Sequence, residues 1–177
     1  MVVRGRKRFD MEVFSYRELE QYPVGASDAL VLIVDHERWP SHVPDEFVRH
    51  IRLRVPHSEL TQGSFEAHQS LLRNARYALN FVQLHCHTIE RVAVASPDGE
   101  VRGPGLALGL TIATNGSLNR AQTLMQTYPN LSRALRDRVL EAAGKLPPSR
   151  LEKAAHSPLT KAALLMLAKI TEGRFHS

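Results

Sequence analysis

The feature that leaves this chain fewest options is an uninterrupted run of six aliphatic residues, Ala29-Leu30-Val31-Leu32-Ile33-Val34, closed by Asp35. A strand with one wet face alternates apolar and polar side chains. A continuous run predicts a strand covered on both faces, which is the habit of parallel sheets in α/β proteins. Arg91-Val92-Ala93-Val94-Ala95 has the same character over a shorter span. Covering two such strands above and below takes a sizeable core, and 177 residues with 43% hydrophobic content are enough for one domain. The same runs fall far short of the ~20 residues a membrane helix needs, so no membrane partner is expected.

The segments around these strands are legible in outline. Residues 11–14 suit a first strand. Residues 15–22 suit a brief helix, with Ser15 as N-cap and Glu18 placed to close a capping box before Pro23 and Gly25 end it. A loop with Trp39, Pro40 and Pro44 leads to residues 47–55, where Ile51, Leu53 and Val55 alternate with Arg52 and Arg54 as in a strand. Residues 56–63 read as a connection. Over 64–85 apolar residues recur at helical spacing, and 106–113 is small and aliphatic throughout, as in a helix buried on most sides. Helices are expected over 118–128, over 131–145 capped by Asn130, and from Ser157-Pro158 to about Glu172, with Pro147-Pro148 between the last two. The sum is an α/β fold: a small central, mostly parallel sheet flanked by helices, with a helical C-terminal half. One domain is expected over 11–177 after a basic, flexible arm over 1–10.

Charge and reactive residues exclude more than they assign. The net charge is +5, and Arg4, Arg6, Lys7 and Arg8 concentrate much of the surplus in the arm, which leaves a nucleic-acid contact there open. The one cysteine, Cys86, excludes an intrachain disulfide and a cysteine-based zinc cage. No secretory h-region follows the basic start, so a cytoplasmic location is expected. Nine histidines are scattered, His85 and His87 lie too close together to share a helix face, and no His-Glu-x-x-His occurs, so neither metal nor cofactor is expected. Trp39, Tyr77 and Phe81 are expected in the core or against a partner rather than as a base-stacking platform.

The informative element is residues 96–105, Ser-Pro-Asp-Gly-Glu-Val-Arg-Gly-Pro-Gly, between a buried strand and a buried helix. In that setting a glycine-bearing loop turns backbone N–H groups inward, and the helix N-terminus adds partial positive charge, giving a concave anion site. The planar fork of Arg102 suits two oxygens of one phosphate. A plain strand-to-helix turn carrying a surface arginine fits the spacing as well. The pattern Ser96-x-x-Gly99-x-x-Arg102 resembles the phosphate loop of cysteine-dependent protein tyrosine and dual-specificity phosphatases, whose signature is His-Cys-x-x-Gly-x-x-Arg-Ser/Thr. A weaker likeness to a compact bacterial-type member extends over most of residues 11–177.

The resemblance implies a phosphate-binding set of Ser96, Pro97, Asp98, Gly99, Glu100, Val101 and Arg102, with the Asp98 and Glu100 side chains near the mouth and directed away from the anion. It also implies what is missing. The nucleophile position is Ser96, the preceding histidine position is Ala95, and the hydroxyl after the arginine is replaced by Gly103. No aspartate stands at 56–59, where the general acid should fall; His57 and Glu59 are the candidates there. A serine hydroxyl does not ionise as a thiol does, and without an adjacent base it is not activated. The implied role is therefore a pseudophosphatase that binds phosphate, a phosphorylated ligand or a protein partner. Two alternatives stay open: a repurposed hydrolase with Ser96 as nucleophile and His57 as base, Asp35 within conceivable reach, and a binding module that works through the basic arm.

Overall fold

The computed structural model describes residues 9–35, 40–114, 116 and 118–146. The chain divides into units Met1–Leu146 and Pro147–Ser177, and the architecture that follows is that of the first. Residues 1–8 of the arm, Trp39 and the helix expected over 158–172 lie outside the described residues.

Four strands form one sheet: β1 (Asp10–Ser15), β2 (Asp28–Val34), β3 (Arg49–Arg54) and β4 (Arg91–Ser96), in the order β1-β4-β2-β3 with every neighbouring pair parallel. The two apolar runs are the two central strands, and all seven residues of β2 are buried. Successive side chains of a strand point to opposite faces, which divides each run between two cores. Ala29, Val31 and Ile33 join Val92 and Val94 on one side, while Leu30, Leu32 and Val34 join Ala93 and Ala95 on the other.

The helices are distributed unevenly. Residues of α3 (Phe65–His85), α4 (Arg102–Ala113), α5 (Leu118–Thr127) and α6 (Arg133–Ala142) all belong to the first core. Among the described residues, the second face is covered by one turn, α1 (Tyr16–Leu19), together with Tyr22, Val24, Val43 and Phe47. The connections from β1 to β2 and from β2 to β3 are near the dozen-residue minimum for a crossover, which leaves little room for a full helix. The expected flanking helices thus lie mainly on one side.

Local signals account for most boundaries. Ser15 caps α1 by accepting from the Glu18 N–H, and the Glu18 carboxylate accepts from the Ser15 N–H at 2.7 Å, completing the capping box. Ser64 caps α3 through the Ala67 N–H. Helix α1 ends at Leu19 rather than at 22, β3 spans Arg49–Arg54 rather than 47–55, and α6 ends at Ala142 rather than at 145; further differences have a visible cause. The connection over 56–63 contains a short helix, α2 (His57–Thr61). Helix α4 starts at Arg102, four residues early, because Pro104 falls within the first turn, where a missing N–H costs little. Ser132 rather than Asn130 caps α6, its hydroxyl accepting from the Leu135 N–H at 3.2 Å. The Ser132 N–H in turn donates to the Val101 carbonyl at 2.8 Å, so the start of α6 is fastened to the start of α4.

That contact depends on Gly105. A Cβ there would lie 2.5 Å from the Ser132 carbonyl oxygen, which is backbone and cannot swing aside. No helix among the described residues is long and apolar enough to cross a membrane. We predict that Gly105→Ala lowers stability by about 1–3 kcal/mol, the usual effect of overpacking a close contact. Gly63→Ala, where a Cβ meets nothing within 4 Å, should stay within about 0.5 kcal/mol of the parent. Urea midpoints of the two variants check both.

Candidate functional site

The loop that carries the sequence pattern leaves the C-terminal end of β4, a central strand with β1 on one side and β2 on the other. Such ends, where the strand order reverses, are where open α/β sheets place ligands. Gly99 makes the turn possible: its φ is +67°, and a Cβ there would sit 2.8 Å from the Ser15 backbone nitrogen. The inward-facing N–H groups expected from the spacing are present, but their acceptors belong to the chain itself.

Ser96 has no exposed surface. Its Oγ accepts from the N–H groups of Gly99 and Gly103, each at 3.2 Å, and donates to Asp98 Oδ1 at 3.2 Å. A hydroxyl offers two acceptor positions and one proton, and all three are engaged. Asp98 Oδ1 also accepts from the Glu100 N–H at 3.2 Å and the Val101 N–H at 3.3 Å. The second oxygen, Oδ2, accepts from Arg102 Nε at 3.3 Å and Nη2 at 3.2 Å. The Asp98 side chain therefore turns into the loop instead of away from it. Two amide donors and a guanidinium attract a carboxylate there as they would a phosphate oxygen. Glu100 follows the expectation and faces solvent, while Pro97 has no N–H to contribute.

Arg102 is 3% exposed, the opposite of a surface arginine. Its Nη1 donates to Asp35 Oδ2 at 2.7 Å and to the Val55 carbonyl at 3.0 Å. From the sequence alone, Asp35 stands out only as a distant triad member. Its role as the partner of Arg102 is legible in retrospect, because it ends the buried strand whose carboxyl end adjoins the loop. The Val55 carbonyl carries no residue-type signal and could not have been found.

The electrostatics agree with the geometry. Burial alone would raise the Asp98 carboxyl. The Val101 N–H, the Arg102 charge, the Glu100 N–H and the Ser96 hydroxyl outweigh it and hold the group below its ordinary range. Tyr16, whose hydroxyl donates to the Ile33 carbonyl at 2.6 Å, is pushed up to about 12, chiefly by burial, and so stays neutral. Of the acid candidates, His57 is exposed and Glu59 half-buried, both on α2, and no hydrogen bond joins either to Ser96. No group of three or more potential metal ligands occurs among the described residues. Cys86 caps the end of α3. Comparison with protein-family models, with curated proteins and with solved structures finds no match to the chain.

As a reaction centre the loop is poor. The Ser96 oxygen is out of reach of a substrate, and the carboxylate that takes its proton is a weaker base than an ordinary one. A carboxylate stabilised in the folded state contributes stability that is complete above its unfolded pKa and is lost as pH falls through its lower folded value. Asp98 starts from an ordinary value of 3.8. Asp98→Asn should therefore be less stable than the parent at pH 6, with the difference shrinking steadily below pH ~4. Paired urea titrations across that range check the sign.

Proposed function

We propose that this chain is a catalytically inactive, tyrosine-phosphatase-like protein whose phosphate-type loop is filled by its own Asp98 carboxylate and whose role is binding rather than turnover. The observation that carries the reading is the arrangement of Asp98. One of its oxygens sits on two loop N–H groups and the other on Arg102, where the resemblance would put oxygens of a phosphate. Ser96 at the nucleophile position supports the inactive part of the reading. It is buried, its hydroxyl is saturated, and no imidazole among the described residues is hydrogen-bonded to it.

The binding part follows from the same geometry. Arg102 faces two carboxylates, Asp35 and Asp98, so the local charge opposes an added anion as long as Asp98 stays in place. A phosphate or phosphorylated ligand enters only by displacing the Asp98 side chain, and affinity in the unmodified chain is correspondingly weak. The hydrolase alternative, with Ser96 as nucleophile and His57 as base, has no supporting contact.

The test is a tungstate titration followed by amide NMR, with p-nitrophenyl phosphate turnover measured on the same samples. The parent should show no turnover and only weak shifts over 97–105. Asp98→Ala should bind tungstate more tightly by roughly tenfold or more, the equivalent of about 1.4 kcal/mol or above. Turnover by the parent that disappears in Ser96→Ala would overturn the inactive reading. Equal tungstate affinity in parent and Asp98→Ala would overturn the self-occupied loop.

A further inference from the structure

A cavity lies away from the 96–102 loop, at the open edge of the sheet. Strand β3 pairs with β2 on one side only. Along its other side α3 is fastened by Asn74, whose Nδ2 donates to the Arg54 carbonyl at 3.0 Å. Between strand, helix and α2 is a recess of about 380 Å³ whose lining includes Arg52, Arg54, Arg73, Ser70, Tyr77 and Glu59. That volume is within the range of small-molecule sites.

The lining has three chemical features in one place. The first is charge: three guanidinium groups against one carboxylate. Neither Arg52 nor Arg73 is paired with a carboxylate among the described residues. Guanidinium groups hold phosphate oxygens in bidentate fashion, and a cluster of them in a recess concentrates anions. The second is a ring. Tyr77 is one of the large hydrophobics left in solvent, 54% exposed, and stands one helical turn from Arg73 on α3. An exposed ring beside arginines is a stacking surface for a planar group. The third is an unsatisfied acceptor. Glu59 Oε2 is buried and has no hydrogen-bond partner among the described residues. Buried polar atoms are nearly always paired, so this oxygen marks a place for a donor.

We propose that this recess binds a nucleotide: a phosphate on the arginines, a planar base against Tyr77, and a sugar hydroxyl or ring amine donating to Glu59. Phosphate alone would leave Tyr77 and Glu59 unused, and an acidic side chain of a protein would leave the ring and the donor site unused. The proposal is independent of the loop reading, since the side-chain hydrogen bonds and ion pairs of Ser96, Asp98 and Arg102 run to none of these residues.

The experiment is calorimetric titration of the full chain with adenosine monophosphate, inorganic phosphate, adenosine, and a short single-stranded oligonucleotide ending in the same nucleotide. The parent, Arg73→Ala and Tyr77→Ala are compared; Arg73 and Tyr77 are exposed on a helix, so both variants should fold, which circular dichroism confirms. Saturable binding of the monophosphate is expected, tighter than phosphate or adenosine, and weakened by about tenfold or more in each variant. Tungstate-induced shifts over 97–105 should be the same in Arg73→Ala and Tyr77→Ala as in the parent, so a failure here is distinguishable from a failure at the loop. The proposal is overturned by no binding of the monophosphate, by affinity indifferent to Arg73→Ala, by adenosine binding as tightly as its phosphate, or by binding of the oligonucleotide alone.

Discussion

A single guanidinium organises the carboxyl ends of the central sheet. Taking a positive charge out of water costs several kcal/mol unless the surroundings replace its hydration. Arg102 recovers this from acceptors on three segments: Asp35 just past β2, the Val55 carbonyl just past β3, and Asp98 in the loop after β4. Each acceptor must be held in place for the buried charge to be tolerated, so the three strand ends and the start of α4 form one cooperative unit. Removing Arg102 would leave two carboxylates facing each other in a site built for their counter-charge, a worse outcome than losing the pair as a whole.

The same requirement explains the state of the loop. Inward-turned amides and a helix N-terminus create a demand for negative charge, which a bound anion or a neighbouring side chain can meet. Here Asp98 meets it from within the loop, at an effective concentration no dissolved ligand matches. Ser96 completes the arrangement by taking the Gly99 and Gly103 N–H groups on its hydroxyl. The donors of the loop are thereby spent on its own rigidity.

The recess beside β3 stands in contrast. At the sheet edge, the arginines of β3 have no further strand beside them and line a recess together with residues of α3, and within it Arg52 and Arg73 have no carboxylate partner among the described residues. One part of the domain is thus electrostatically closed and another open, although both lie at the margins of the same sheet.

Much of this was legible in the residue order. The uninterrupted run at 29–34, the alternation of Arg52 and Arg54 with Ile51 and Leu53, the Ser15–Glu18 spacing and the strand–loop–helix at 91–113 all act over a few residues. Steric and hydrogen-bond rules at that range determine the α/β class, the strands and the tight loop. What remained depended on distance along the chain. The fate of Arg102 required Asp35 and Val55, 67 and 47 residues away, and no local pattern announces such partners. The placement of four helices on one face, the cap at Ser132 and the exposure of Tyr77 likewise rest on how elements pack. The sequence by itself determined that a tight, glycine-bearing loop leading into a buried helix would follow the central strand. Only the tertiary structure decided that Asp98 would occupy it, because the side chain turns inward only where a buried guanidinium, held by Asp35 and the Val55 carbonyl, is waiting for it.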